Sequence, residues 1–188
     1  MIIYIHGFGS SGVGGKATLL KEHFNDTIIL PSLSYVPNLA IHTLEQLIKM
    51  FLKQGEKVGL VGSSLGGYYS IYLAQKYELK AVLINPAITP YKTLDKIGMA
   101  TNYYDLSSFE VTQEHMQMLK TFEVDSITNE KNIMVLLQKG DELLNYEDAI
   151  KKLPHAHFKI EEGGNHSFEG IERYFDEIES FFVVTSEK

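Results

Sequence analysis

The stretch Val58-Gly59-Leu60-Val61-Gly62-Ser63-Ser64-Leu65-Gly66-Gly67 decides how the rest of the chain is read. Its apolar start, Val58 to Val61, reads as a buried strand, and a helical pattern runs from Leu65 to Lys76; Gly62-x-Ser64-x-Gly66 sits at the join. A serine held in a sharp turn between a strand and a helix, with glycine two residues to either side, leaves room for both elements to pass closely. The turn also pushes the hydroxyl outward, as a nucleophile requires. Glycine and serine are common, so the same five residues can be no more than a strand-to-helix turn, and the surroundings have to decide.

Those surroundings alternate short apolar runs with longer helical patterns, the mark of a parallel sheet covered by helices on both faces. Strands are expected at Ile2 to Ile5, Thr27 to Leu30, Val58 to Val61, Ala81 to Asn85, Ile133 to Gln138 and His157 to Glu161. Helices are expected near Gly15 to Phe24, Leu39 to Lys53, Leu65 to Lys76, Tyr146 to Lys152 and Phe168 to Phe182. The class is α/β, with a mostly parallel six-stranded sheet. In the second helix, Leu39, Leu44, Leu47, Ile48, Phe51 and Leu52 approximate one buried face. The segment from Ala87 to Glu130 is too long for a simple crossover and carries its own helical signals, so it reads as a small helical cap. With no repeat and no Pro/Gly/Ser-rich linker, residues 1–188 read as a single domain.

Composition removes several function classes. The chain has no cysteine, which excludes disulfides, thiolate metal sites and a cysteine nucleophile. No apolar run approaches the roughly 18 to 20 residues of a membrane helix, and no basic, apolar leader precedes the first strand, so a cytoplasmic protein without a membrane span is expected. A net charge of −7 without a basic cluster opposes nucleic-acid binding. His155-x-His157 is an isolated pair, so neither a metal nor another cofactor is expected.

A hydroxyl needs a base within hydrogen-bond reach and an acid to orient that base. In elbow-type hydrolases the chain order is serine, acid, histidine. Asp141, in Gln138-Lys139-Gly140-Asp141-Glu142, and His166, in Gly163-Gly164-Asn165-His166-Ser167, follow the fifth and sixth strands, at the carboxyl ends where open sheets build their sites. Glu142, Asp148 and Glu162 are rivals for the acid, and Asp141 itself could be a plain turn residue. After the first strand, Ile5-His6-Gly7-Phe8-Gly9-Ser10-Ser11 can aim a backbone N–H at the elbow, so the N–H groups of Phe8 and Leu65 are expected to form an oxyanion hole. His6 is expected to brace that loop. Tyr91, Met99, Tyr103, Tyr104, Phe109, Met116, Met118, Leu119 and Phe122 give the cap an apolar, aromatic character. They either pack it onto the sheet or line an acyl pocket, for which Phe8, Tyr103 and Met116 are candidates.

Five blocks in order resemble the YqiA/YcfP-type small α/β-hydrolase esterases: Tyr4-Ile5-His6-Gly7-Phe8 with Ser10-Ser11, Gly62 to Tyr69, Ile84-Asn85-Pro86-Ala87, Gly140-Asp141-Glu142, and Glu162 to Phe168. The resemblance implies the α/β-hydrolase fold with Ser64 as nucleophile, Asp141 as acid and His166 as base. The expected substrate, a small-molecule acyl ester or thioester, follows from the apolar, aromatic residues of the cap.

Two other readings compete. Gly7-x-Gly9-x-x-Gly12 after the first strand has the form of a dinucleotide-binding loop, which would make the chain an oxidoreductase, but the second strand ends in Leu30-Pro31-Ser32 with no acid for a ribose hydroxyl. The third possibility is a binding protein that keeps the fold without the reaction. Gly15-Lys16 suggests a phosphate loop but lacks both its first glycine and the hydroxyl residue after the lysine.

Overall fold

A computed structural model describes residues 1–94 and 97–183. The chain runs β1 (Ile2–Ile5), α1 (Gly15–Phe24), β2 (Ile28–Ile29), α2 (Pro37–Lys53), β3 (Gly59–Ser63), α3 (Leu65–Tyr77) and β4 (Lys80–Ile84). It continues through α4 (Pro90–Thr93), β5 (Gly98–Thr101), β6 (Ser108–Val111), α5 (Gln113–Thr121), β7 (Ile133–Gln138), α6 (Tyr146–Lys152), β8 (His157–Glu161) and α7 (Phe175–Val183). Six strands form one sheet in the order β2-β1-β3-β4-β7-β8, and every pairing in it is parallel. After β1 the chain builds β2 on one side, then crosses back to build β3, β4, β7 and β8 on the other. The carboxyl ends of β1 and β3 therefore border the switch-point crevice where open α/β sheets hold their ligands.

Successive strand residues point to opposite faces, which divides the core in two. Ile3, Ile5, Leu60, Leu83 and Val135 meet Ile41, Leu44 and Ile48 of α2, Leu73 of α3 and Ala149 of α6. Tyr4, Val61, Val82, Ile84 and Leu136 meet Ala17, Leu20 and Phe24 of α1 and Phe175 and Ile178 of α7. Both faces being covered explains why β1, β4 and β7 read as nearly continuous apolar runs.

The fold departs from the expectations in instructive places. Leu39 and Leu52 of α2 are 55% and 41% exposed, while Pro37, Ala40 and Ile41 take the buried positions. At roughly 100° per residue Leu39 stands about 140° round the helix from Leu44, outside the face that meets the sheet. The last helix begins later than Phe168, because Phe168 and Gly170 both have positive φ, 63° and 67°; a 3-10 turn over Ile171–Tyr174 leads into α7. Between β4 and β7 the short helices α4 and α5 are joined by an antiparallel hairpin of β5 and β6, so this insertion is mixed rather than purely helical. Its underside packs: Phe109, Met116, Leu119 and Phe122 are buried, the Tyr68 hydroxyl donates to Leu119 O at 2.7 Å, and the Phe122 ring stands edge-on to Tyr72. Each such large side chain contributes about 1.5 to 3 kcal/mol by burial. No helix among the described residues is long and apolar enough to cross a membrane.

Candidate active site

Ser64 lies between β3 and α3 with φ 54° and ψ −118°, a conformation costing an L-residue on the order of 1 to 3 kcal/mol. The flanking glycines make it attainable. A Cβ on Gly62 would stand 2.2 Å from Gly66 O and from Ser70 Oγ, and one on Gly66 would stand 1.9 Å from Ile5 O. The turn is fastened by the Ser64 N–H, which donates to Ile84 O at 3.0 Å, and by Ser64 O, which accepts from the Ala87 N–H at 3.0 Å.

The structure brings Ser64, His166 and Asp141 into one hydrogen-bonded line. The Ser64 hydroxyl donates to His166 Nε2 at 2.9 Å, and His166 Nδ1–H donates to Asp141 Oδ2 at 2.8 Å. Asp141 Oδ1 accepts from the N–H groups of Leu143 and Leu144, both at 2.9 Å. Burial pushes the Asp141 carboxyl up, but the bonds from His166, Leu144 and Leu143 together hold it below the usual carboxylate range. Its rivals are engaged elsewhere or turned away: Glu142 accepts the His166 backbone N–H at 2.9 Å, Glu162 pairs with Lys139, and Asp148 is exposed on α6.

Two buried residues that the sequence reading passed over hold this line in place. Asn85, just after β4, accepts the Gln138 N–H at 3.0 Å and donates through Nδ2 to Asn165 O and His166 O at 3.0 and 3.3 Å. Gln138, the last residue of β7, accepts from the N–H groups of Asn165 and Glu169 at 3.2 and 2.9 Å and donates to Glu161 Oε2 at 2.7 Å. A polar residue at the end of an otherwise apolar strand is the signal that could have marked each of them.

The first loop presses on the serine from the other side. A Cβ on Gly7 would lie 3.2 Å from Ser64 Cβ. Among the described residues, neither the Phe8 nor the Leu65 backbone N–H donates a hydrogen bond. His6 braces the loop: its Nε2 accepts from the Leu33 N–H and its Nδ1–H donates to Gly7 O, both at 2.9 Å. Burial lowers its pKa, against the Gly7 bond that raises it. The other glycines of the Gly7-x-Gly9-x-x-Gly12 pattern serve packing. Gly9 has φ 63° with the Tyr103 ring against it, and a Cβ on Gly12 would stand 1.9 Å from Leu30 O.

Two clefts open at Ser64. One, of about 450 Å³, lies under the insertion and is lined by Leu65, Ala87, Pro90, Leu94 and Leu144 beside Phe8, Tyr103 and His166. The other, of about 620 Å³, runs towards α1 past Ser10, Lys16, Ser63 and Ser167. There Lys16 Nζ donates to Ser63 Oγ at 2.7 Å, and burial lowers its pKa to about 8 although Asp141 pulls it upward. Of the three expected pocket residues, Phe8 and Tyr103 line both clefts. Met116 lines neither; the amphipathic α5 turns it inward, where it is buried in the core.

Residues 1–183 match the family described as Uncharacterised protein family (UPF0227), and the chain belongs to it. The UPF0227 protein YcfP of Escherichia coli O9:H4 (strain HS) is 27% identical over 188 residues, covering 96% of this chain and 98% of that one. In structure the chain is similar to a monoacylglycerol lipase of Paleococcus ferrophilus, with a TM-score of 0.72 and 17% identity over 97% of this chain and 93% of that one. It is also similar to mouse alpha/beta hydrolase domain-containing protein 10, with a TM-score of 0.71 and 17% identity over 95% and 88% of the two chains. The fold is that of the α/β-hydrolases.

Proposed function

From that fold and family we propose that the chain is a serine hydrolase of carboxylic esters or thioesters, working as one domain over residues 1–188 with residues 87–130 as its cap. The observation that carries the reading is the continuous line from Ser64 Oγ through His166 to Asp141, with spacings of 2.9 and 2.8 Å, at the junction of two clefts. The esterase resemblance and the likeness to a lipase in structure support the same class.

In this reading His166 Nε2 takes the Ser64 proton as Oγ adds to the substrate carbonyl. The carbonyl oxygen becomes an oxyanion between the Phe8 and Leu65 N–H groups. The imidazolium, held by the Asp141 carboxylate, gives its proton to the departing alcohol oxygen or thiol sulfur, leaving an acyl group on Ser64. Water, deprotonated by His166, then attacks the acyl carbonyl; the acid leaves and Ser64 regains its proton.

A fluorophosphonate probe tests the proposal, since it labels only an activated serine. Mass spectrometry should locate the adduct on Ser64, and a panel of acyl esters and thioesters should be hydrolysed. Folded protein that neither reacts with the probe nor cleaves any of the panel would sink the reading in favour of a binding protein on this fold.

A further inference from the structure

Beyond its border at Phe8, Ser64 and His166 the cleft beside α1 takes no part in the steps above, yet it holds a half-buried ammonium. We propose that Lys16 and Ser63 form a subsite for an anionic group, a carboxylate or a phosphate, on the alcohol or thiol half of the substrate. The proposal rests on the reading of Ser64 as nucleophile.

Position is the first argument. Lys16 Nζ is bonded to the hydroxyl of Ser63, the residue before Ser64, and neighbouring Cα atoms lie about 3.8 Å apart. The charge therefore stands in the wall of the same cleft that Ser64 borders. The side of the cleft is the second. The leaving atom has to receive the proton on His166 Nε2; His166 borders both clefts, but Ser167 and Phe168, which follow it, wall this one alone, whereas the apolar cleft offers Ala87, Pro90 and Leu94 to a hydrocarbon chain.

Unused bonding capacity is the third. An ammonium has three N–H donors, and among the described residues that of Lys16 has one acceptor, Ser63 Oγ, and no carboxylate within ion-pair distance. Lys16 is the one lysine or arginine among the described residues lining the cleft. The other titratable groups facing it are Tyr4 on β1, Tyr103 after β5, Asp141 and Glu142 after β7, His166 after β8 and Glu172 on the 3-10 turn. Burial pushes the Tyr4 hydroxyl up, so it stays protonated; Asp141 and Glu142 are bonded to His166, and Glu172 is exposed. With its pKa near 8, Lys16 is a cation at neutral pH and loses that charge above it.

The test compares butyryl esters of 4-hydroxybenzoate, of 4-hydroxyphenyl phosphate and of neutral 4-hydroxybenzamide. The wild type should favour at least one anionic ester, and the two anions show which group the subsite takes. Lys16→Met should lower the anionic-to-neutral ratio of kcat/KM about tenfold, mainly through KM, as expected for a lost charge-assisted hydrogen bond, while Lys16→Arg should retain most of the preference. In the wild type the ratio should decline from pH 7 to 9.5, and this needs no variant to fold. A preference for the neutral ester, a ratio unmoved by both Lys16→Met and pH, or an equal loss with Lys16→Arg would overturn the subsite. Absence of hydrolysis for all three esters together with absence of fluorophosphonate labelling would instead overturn the Ser64 reading.

Discussion

The cleft under the insertion and the cleft beside α1 share Phe8, Ser64, Tyr103, Leu143 and His166, and differ in everything beyond them. The first takes its far wall from Ala87, Pro90 and Leu94, residues outside the sheet frame, and is mainly apolar. The second is walled by β1, α1 and the end of β3, and carries Lys16, Ser10 and Ser63. Chain recognition by the insertion can therefore change without disturbing the frame, whereas changing the polar wall means altering residues that also support the sheet and the elbow. In the proposed reaction each cleft takes one half of the substrate and Ser64 attacks the bond between the halves.

The comparison can be broken at four points. Ser64→Ala removes what both clefts share, and esterase turnover should drop by about 10⁶-fold whatever the substrate. Initial rates on esters that differ at either end check this. Asp141→Asn should cost about 10⁴-fold in kcat, equally for long and short acyl chains, because it upsets the imidazole tautomer rather than either wall; a loss that varied with chain length would place Asp141 in a wall. Leu144→Ala alters the apolar cleft alone. It should lower the octanoyl-to-acetyl ratio of kcat/KM about tenfold, in line with 1 to 3 kcal/mol for a lost apolar contact.

The smallest effect is on stability. Since the folded-state pKa of Asp141 is depressed, its contribution is present above the unfolded carboxylate value of roughly 4 and disappears as pH falls through the folded one. Between pH 6 and pH 3 the melting temperature of the wild type should fall more steeply than that of Asp141→Asn. Parallel melting curves would show that the hydrogen bonds around Asp141 bring no net stabilisation.

The shared floor was far more legible in sequence than the walls. Ser64, Asp141 and His166 each follow a strand, and glycines stand beside the elbow and the two loops because backbones pass there within a few ångströms, so position and chemistry are written locally. The walls depend on contacts between distant segments. Lys16, once the phosphate-loop pattern fails, reads as an ordinary helix residue until α1 brings its ammonium to Ser63 at the end of β3. Met116 and Tyr103 look equivalent as apolar cap residues, yet the register of the β5–β6 hairpin and the rotation of α5 bury one and expose the other. The hairpin itself escaped notice because Gly98-Met99-Ala100-Thr101 has little β propensity and is held by pairing with Ser108 to Val111. In α2, apolar residues outnumber the places on the buried face, so composition overstated the core.

The hairpin is also tied to the first loop, through the Tyr103 N–H to Gly9 O at 2.7 Å and Asn102 Nδ2 to Ser10 O at 3.2 Å. Gly9 is the residue after Phe8, whose N–H is the proposed oxyanion donor. An acyl group bulky enough to lift the insertion pulls on that donor as well, so steric misfit at the far end of the cleft is felt at the reacting carbonyl. Oversized substrates should bind and then react slowly, and selection by size would show in kcat before it shows in KM.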